Sequence, residues 1–270
     1  MSENGAVLRT DSVTVRFGGL TAVSDATLEV PGGGFVGLIG PNGAGKTTLF
    51  NAIGGFLAPT SGRIYFEDRD ITTMAPSMRA KLGIGRTFQK LELFTRMSVF
   101  DNLMVAAEAG SSKLDLASDL LALPRRHSEE RRCGAIAEEM LQLLDLDWAR
   151  ERRASDLPVG TARILELGRA LCALPRVLLL DEPSSGLDSR ETKEFGQLLR
   201  RINRDREIGI LLVEHDMDLV MEVCNDIYVL DFGRLIARGS PKEIVAEPAV
   251  RSAYLGEEEH GEAPAARSRR

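Results

Sequence analysis

The stretch FVGLIGPNGAGKTTLF, residues 35 to 50, restricts the possible folds more than any other part of the chain. An apolar run reads as a buried strand, a glycine-rich loop follows, and Lys46 to Ile53 reads as a helix. The loop, Gly40, Pro41, Asn42, Gly43, Ala44, Gly45, Lys46, Thr47 and Thr48, fits the spacing G-x-x-x-x-G-K-[ST]. Glycines at that spacing let successive backbone N–H groups curl around phosphate oxygens, and the helix N-terminus adds partial positive charge. Lys46 can then reach the β- and γ-phosphates, the Thr47 hydroxyl can hold Mg²⁺, and Asn42 can brace the loop. This implies binding of a nucleoside triphosphate, on an α/β scaffold.

The rest of the chain is patterned accordingly. Residues 7 to 38 alternate apolar and polar positions, broken by Gly18-Gly19 and Gly32-Gly33-Gly34, which suggests short antiparallel strands. A strand is expected over RIYFEDRDI, a short helix near 76–81 and a strand over 83–88. After residue 157, helix and strand alternate: helix 162–173, strand 176–181, helix 189–204, strand 208–213, helix 216–223 and strand 226–231. Such alternation predicts a mostly parallel sheet covered by helices. Helical spacing over 98–109 and 133–146, joined by the polar stretch GSSKLDLASDLLALPRRHSEERR, reads as an inserted helical subdomain over 93–157. The fold class expected is therefore a P-loop NTPase (RecA-like), with an N-terminal antiparallel β subdomain and a helical insertion. It forms a single domain over 1–256, with 7–92 and 158–256 as the core. The charged ending, 257–270, carries no apolar periodicity and is expected to be a disordered tail.

Bulk properties exclude several classes. Net charge is −6, from 34 basic and 40 acidic residues, so no basic field invites nucleic acid. Cys133, Cys172 and Cys224 are widely spaced and form no CxxC pair, which argues against a disulfide framework or a zinc site and for a reducing cytosol. The start, MSENGAVLRTDS, lacks a signal-peptide pattern. The longest apolar runs fall far short of the ~20 residues that span a bilayer.

RVLLLDEP, residues 176 to 183, places two acids at the C-terminal end of a buried strand, where ligands of open α/β sheets sit. Asp181 can accept from a Mg²⁺-bound water, and Glu182 can polarise an attacking water as general base. An apolar run followed by an acid is by itself commonly a strand end; the phosphate loop is what gives the pair its chemical reading.

Together these motifs resemble the nucleotide-binding subunit of an ABC transporter. The resemblance covers residues 7 to about 240 and implies ATP and Mg²⁺ as ligands. It implies that Phe17 stacks on adenine, that Gln89 in GRTFQ touches the metal and senses a membrane partner, and that Asp188 in SSGLD crosses a dimer interface. His215 in LLVEHDMD would contact the γ-phosphate and the attacking water. Alone, Phe17 would read as a core aromatic, Gln89 as a solvated strand end and His215 as a helix cap. RTFQKLELFTRMSVFDNLMVAA, LLVEHDMDLVMEVCNDIYVLDFGRLIARGSPKEI and EPAVRSAYLGEE resemble more narrowly the ATPase subunits of branched-chain amino-acid importers, or of related urea and amide importers.

The resemblance further implies an ATP sandwich with a second ABC ATPase subunit on the cytoplasmic face of the cell membrane. Membrane permease subunits and an extracytoplasmic solute-binding protein would complete the assembly. Leu91, Leu93, Phe94 and Met97 read either as the floor of a groove for a permease helix or as insertion core. A DNA-repair ATPase would carry long coiled-coil insertions, a translation factor two fused ATPase domains, and a GTPase an N-K-x-D motif; none occurs in the sequence. A purely regulatory binding protein is disfavoured by Glu182 and His215. One motif departs from the family. Leu157, Pro158, Val159, Gly160 and Thr161 stand where LSGGQ is expected, so a proline replaces the serine hydroxyl and valine a glycine. The backbone of Gly160 and Thr161 at a helix start still attracts an anion, with the Thr161 hydroxyl as cap or extra donor. The altered loop suggests a heterodimer with unequal ATP sites.

Overall fold

The computed structural model describes residues 5–87, 89–111 and 125–261. Two sheets and the helices around them make up the described residues. β1 (Ala6–Phe17) pairs antiparallel with β2 (Leu20–Ala26), β3 (Glu29–Pro31) and β5 (Ser61–Phe66), and β6 (Arg69–Asp70) extends β5. The second sheet has the order β11-β10-β4-β9-β8-β7. Its members are β4 (Phe35–Ile39), β7 (Ile84–Arg86), β8 (Val177–Asp181), β9 (Gly209–Val213), β10 (Asp226–Asp231) and β11 (Arg234–Gly239). All neighbours are parallel except β10 and β11.

Both faces of the parallel sheet are covered, so its strands are continuous apolar runs. Every residue of β4, β8 and β9 is buried. Successive side chains point to opposite faces, and two cores result. Leu178, Leu180, Ile210 and Leu212 face one core, shared with the helical insertion and with α6 (Ser189–Arg206) and α7 (Met217–Val223). Val177, Leu179, Leu211 and Val213 face the other, shared with the antiparallel sheet and α1 (Lys46–Gly54).

Between the sheets, α2 (Pro76–Leu82) contributes Arg79, whose side chain is fully buried. Its guanidinium donates to the carbonyls of Ala52 (2.8 Å), Ile53 (2.5 Å), Met74 (2.9 Å) and Thr72 (3.0 Å). Two of these are carbonyls in the last turn of α1, where Ala52 O also accepts from Gly55 N at 3.1 Å. Burial pulls the Arg79 guanidinium down to about 10.

The insertion, expected to end at 157, extends to α5 (Val159–Cys172), which packs against α3 (Val99–Ser111) and α4 (Arg125–Leu143); two short 3₁₀ turns (Asp147–Ala149 and Ala154–Asp156) precede it. It differs from the sequence reading in a second respect. The polar connection was expected to run from 110 to 132, but α4 begins at Arg125; 112–124 lie outside the described residues. Arg and Glu are good helix formers, so a charged face there continues the amphipathic helix whose apolar positions are Cys133, Ala137, Met140 and Leu141.

The C-terminal end differs too. The strand–helix alternation was expected to close at 231, yet β11 adds an antiparallel edge, followed by α8 (Pro241–Ala246) and α9 (Pro248–Gly261). Ser240 and Glu243 form a capping box at the start of α8, with Ser240 Oγ donating to Glu243 at 2.7 Å. Residues 257–261, expected in the tail, continue α9; the rest of that expected tail, 262–270, lies outside the described residues. No described helix is long and apolar enough to cross a membrane. Cys133, Cys172 and Cys224 are buried, and burial pushes the Cys172 thiol up to about 12.

Replacing Arg79 by alanine would remove the guanidinium from four carbonyls, two of them in buried contacts, and leave a cavity in its place. It is expected to destabilise the fold by about 3–5 kcal/mol, since each stranded group costs roughly 1–3 kcal/mol before relaxation. Denaturant unfolding followed by circular dichroism would measure the loss.

Candidate functional site

The order of the parallel sheet brings the candidate residues to one edge. From β4 through β9 and β8 to β7, each strand ends in a loop that carries one of them. The phosphate loop leaves β4, the segment Glu214-His215 leaves β9, Asp181-Glu182 ends β8, and Gln89 follows β7. Backbone bonds at the strand ends keep the loops level. Glu182 N donates to Val213 O at 2.8 Å, and Thr87 N donates to Leu179 O at 3.0 Å.

The phosphate loop is shaped by its glycines. Gly40 has φ +148, and a Cβ there would lie 1.9 Å from the carbonyl oxygen of Leu230 in β10. Gly45, at the N-cap of α1, has φ +104, and a Cβ would meet Ala22 O at 2.4 Å. Both positions combine a left-handed backbone with contact against a neighbouring strand, which only glycine satisfies. Ala44 O accepts from Gly233 N at 2.8 Å, tying the loop to the β10–β11 turn. Lys46 is buried, and its ammonium donates to Gly40 O (2.7 Å) and Pro41 O (2.9 Å). The charge is thus held inside the ring of backbone groups. Asn42, Gly43 and Thr47 are exposed at the rim, and Thr48 is half-buried.

Glu182 lies at the centre of the edge. Its Oε2 accepts from Gln89 Nε2 at 2.6 Å, and its Oε1 lies 2.7 Å from His215 Nε2. Glu182 and His215, expected to act on the attacking water, and Gln89, expected to touch the metal, are therefore in direct contact. Glu182 adopts φ +47, a left-handed backbone unusual for a side chain with a Cβ, and such strain concentrates at functional positions. Asp181, next to it, is buried. Burial pushes its carboxyl upward and the charges of Glu182 and Glu214 add to this, while Arg86, with Nη2 3.6 Å away, opposes it. Arg86 is itself pushed down by burial and lies over the rings of Phe50 and Phe56, each 4.6 Å from its carbon centre.

Phe17 is half-exposed at the tip of the β1–β2 hairpin, opposite Leu20. It is thus a surface aromatic and not a core one, and β2 of the same hairpin backs onto Gly45. His215 does not cap a helix. Asp216 is the N-cap of α7, accepting from Leu219 N at 3.0 Å. Asp188 caps α6, accepting from Arg190 N (2.9 Å) and Glu191 N (2.8 Å), while Glu191 accepts in return from Asp188 N (3.1 Å).

At the altered signature loop, Pro158 occupies the N-cap of α5, Val159 is half-exposed, and Gly160 and Thr161 lie inside the first turn. Thr161 is therefore not the cap that the sequence suggested; no side chain caps this helix. A Cβ on Gly160 would meet Glu191 Oε1 at 2.8 Å, so this glycine lets α5 lie close against the capping-box side chain of α6. Among the groove residues, Leu91, Phe94 and Met97 are exposed, whereas Leu93 packs against the core. Phe94 carries the Arg169 guanidinium over its ring at 4.7 Å.

Two residues at this edge carried no sequence signal of their own. Arg163, in the first turns of α5, is buried. It donates to Gln89 O (3.0 Å), Ser185 O (3.2 Å) and Glu166 Oε2 (3.1 Å), linking the helical insertion to the loops on either side of Glu182. Glu214 is buried beside His215. A polar residue within an amphipathic helix, and an acid preceding a histidine, are ordinary in sequence; only the approach of separate loops gives them work.

A phosphate grip at the mouth of a parallel sheet, with a carboxylate held between glutamine and histidine beside it, defines a P-loop ATPase site. Comparison with known families agrees. The profile described as ABC transporter matches residues 23–185, and that described as branched-chain amino acid ATP-binding cassette transporter matches residues 234–260. The chain is 41% identical, over 93% of its length and 98% of the relative's, to the high-affinity branched-chain amino acid transport ATP-binding protein LivG of Salmonella typhimurium. It is 38% identical to the corresponding protein BraF of Pseudomonas aeruginosa over 93% of the chain and 98% of that protein. A solved ATP-binding cassette of an ABC transporter superimposes with a TM-score of 0.80 at 32% identity, covering 92% of this chain and 98% of that one. The chain belongs to the ABC transporter ATPase family.

Gly40→Ala places a methyl group inside van der Waals contact of Leu230 O. It is expected to reduce nucleotide affinity at least tenfold while leaving the helical insertion folded, measurable by titration with a fluorescent ATP analogue and by circular dichroism.

Proposed function

We propose that the chain is the ATP-binding and ATP-hydrolysing subunit of an importer for branched-chain or related amino acids. It would work on the cytoplasmic face of the cell membrane, with membrane permease subunits, a second ABC ATPase subunit and an extracytoplasmic solute-binding protein. The observation that carries the hydrolytic reading is the contact of Gln89 and His215 with Glu182, beside the Lys46 ring. The cargo class is supported by LivG and BraF and by the C-terminal match over β11, α8 and α9.

In this reading the ring of loop amides and Lys46 bind the phosphates, and Phe17 offers its face to adenine. Glu182 accepts a proton from the attacking water as the bond to the γ-phosphorus forms, and ADP leaves as the bridging bond breaks. His215 holds the water and the γ-phosphate in line, and Gln89 steadies the carboxylate from its other side. The Thr47 hydroxyl, the Asp181 carboxylate and the Gln89 amide oxygen are hard oxygen donors that suit Mg²⁺. Among the described residues no group of three or more His, Cys, Asp and Glu is placed to hold a metal, so such an ion would depend on the nucleotide's phosphates for much of its coordination. When bound, Mg²⁺ would neutralise charge on the phosphates.

The exposed Leu91, Phe94 and Met97 suit contact with an apolar permease helix, and Arg163 would carry movement of α5 to Gln89. Pro158 at the N-cap and the exposed Val159 support a heterodimer whose two ATP sites are unequal.

Glu182→Gln is expected to keep ATP binding and lower turnover by about 10²–10⁴-fold, trapping a dimer visible by gel filtration with ATP. Unchanged hydrolysis would rule out Glu182 as the base. Lys46→Ala should instead weaken nucleotide binding itself. In a reconstituted complex, Pro158→Ser or Thr161→Ala should alter hydrolysis at the partner's site, and no change there would reject the unequal-site reading.

A further inference from the structure

We propose that Glu214 is a positioning residue for hydrolysis, a buried carboxylate that fastens the loop carrying His215 to the loop leaving Glu182. Glu214 directly follows β9 and is 3% exposed. Its Oε1 accepts from the backbone N (2.8 Å) and the Oγ (2.6 Å) of Ser184, two residues beyond Glu182. Its Oε2 accepts from the backbone N of His215 (2.9 Å) and, at greater length, from that of Asp216 (3.4 Å). One carboxylate therefore grips both loops whose side chains meet in the 2.7 Å contact between Glu182 and His215.

Two further observations point to position and not to packing alone. The backbone at Glu182 is left-handed, φ +47, and a strained conformation persists only where its surroundings over-determine it. The two bonds from Ser184 to Glu214 hold the residues that follow this strain, together with Ser185 N donating to Glu182 O at 3.1 Å. In addition, Glu214 is buried at the strand end next to the buried Asp181, whose neighbour in β9 is Val213. Burying a second carboxylate there is unfavourable in itself. Its four donors offset that penalty only while both loops stay in place, so the group reports on their alignment.

Glutamine at 214 would keep one acceptor oxygen but turn an NH₂ toward either Ser184 or the His215 amide, setting donor against donor. The inference rests on the hydrolytic roles proposed for Glu182 and His215, and a double-mutant cycle separates the two. With the full chain, ATP turnover, KM and equilibrium ATP affinity are measured for Glu214→Gln, His215→Ala, Ser184→Ala and the two double variants containing His215→Ala.

Glu214→Gln is expected to lower kcat on the order of 100-fold, the penalty of a misplaced reacting group, with ATP affinity within about twofold. In the His215→Ala background the same substitution should cost less than about threefold, because the alignment of His215 against Glu182 that Glu214 maintains no longer affects turnover. Ser184→Ala, which removes only the hydroxyl donor, should lower kcat about three- to tenfold and likewise lose its effect without His215. If Glu214→Gln does not fold, the Ser184→Ala cycle decides by the same criterion. Equal losses in both backgrounds, an unchanged kcat, or a loss confined to ATP affinity would overturn the proposal. Normal turnover by His215→Ala alone would overturn the hydrolytic reading beneath it.

Discussion

Parallel pairing of β8 with β9, in which Val177 lies opposite Gly209 and Asp181 opposite Val213, sets the geometry on which the remaining features depend. Because the two strands end at the same level, Glu182 and His215 leave the sheet side by side. The same register carries across to β4, whose end opens the phosphate loop, and to β7, which leads to Gln89. A shift of one residue in any of these pairings would turn each side chain to the other face. Because β8 and β9 pack against a core on each face, such a shift would set misfitting side chains against both. Hydrophobic burial thus acts at the site by fixing where strands stop.

On that base the chain uses buried charged groups as connectors. Arg79 closes the end of α1, Arg86 stands against Asp181, Arg163 joins α5 to the loops of Gln89 and Ser185, and Glu214 joins those of Ser184 and His215. Each is an ionisable side chain removed from water, which is tolerated only because it makes several hydrogen bonds or faces an opposite charge. Directional bonds of this kind do what apolar contacts cannot. They hold irregular loops, which have no ladder of backbone bonds, at set distances from one another. The helical insertion is tied to this edge of the sheet by one such connector, Arg163, which donates to Gln89 O and Ser185 O.

Much of this arrangement was legible in the residues. The phosphate loop has a motif with a mechanism, and its strand and helix stand where 35–39 and 46–53 were expected. The strands at 176–181, 208–213 and 226–231 were evident from apolar runs, and β10 covers the last of these from end to end. The departures have physical reasons. Helix α4 starts within a charged stretch because Arg and Glu support a helix whether or not its face is apolar, and β11 was missed because only the register of β10 gives its half-exposed residues a partner. Thr161, read as cap or extra donor, is not the cap because the helix starts at Val159 after Pro158, three residues before the expected 162.

The sequence by itself determined the α/β class, the phosphate grip and the identity of the acids at the end of β8, because those follow from local periodicity and from glycines at fixed spacing. Only the tertiary structure decided which of the remaining polar residues act together. Gln89, Glu182 and His215 are distant in the chain, and their meeting depends on strand order. Arg163, Ser184 and Glu214 gain significance solely from loops that the sheet brings within about 3 Å of one another, the range in which a hydrogen bond forms. Contacts between segments far apart in sequence leave no periodic trace, whereas the packing that creates them fixes each to a particular atom.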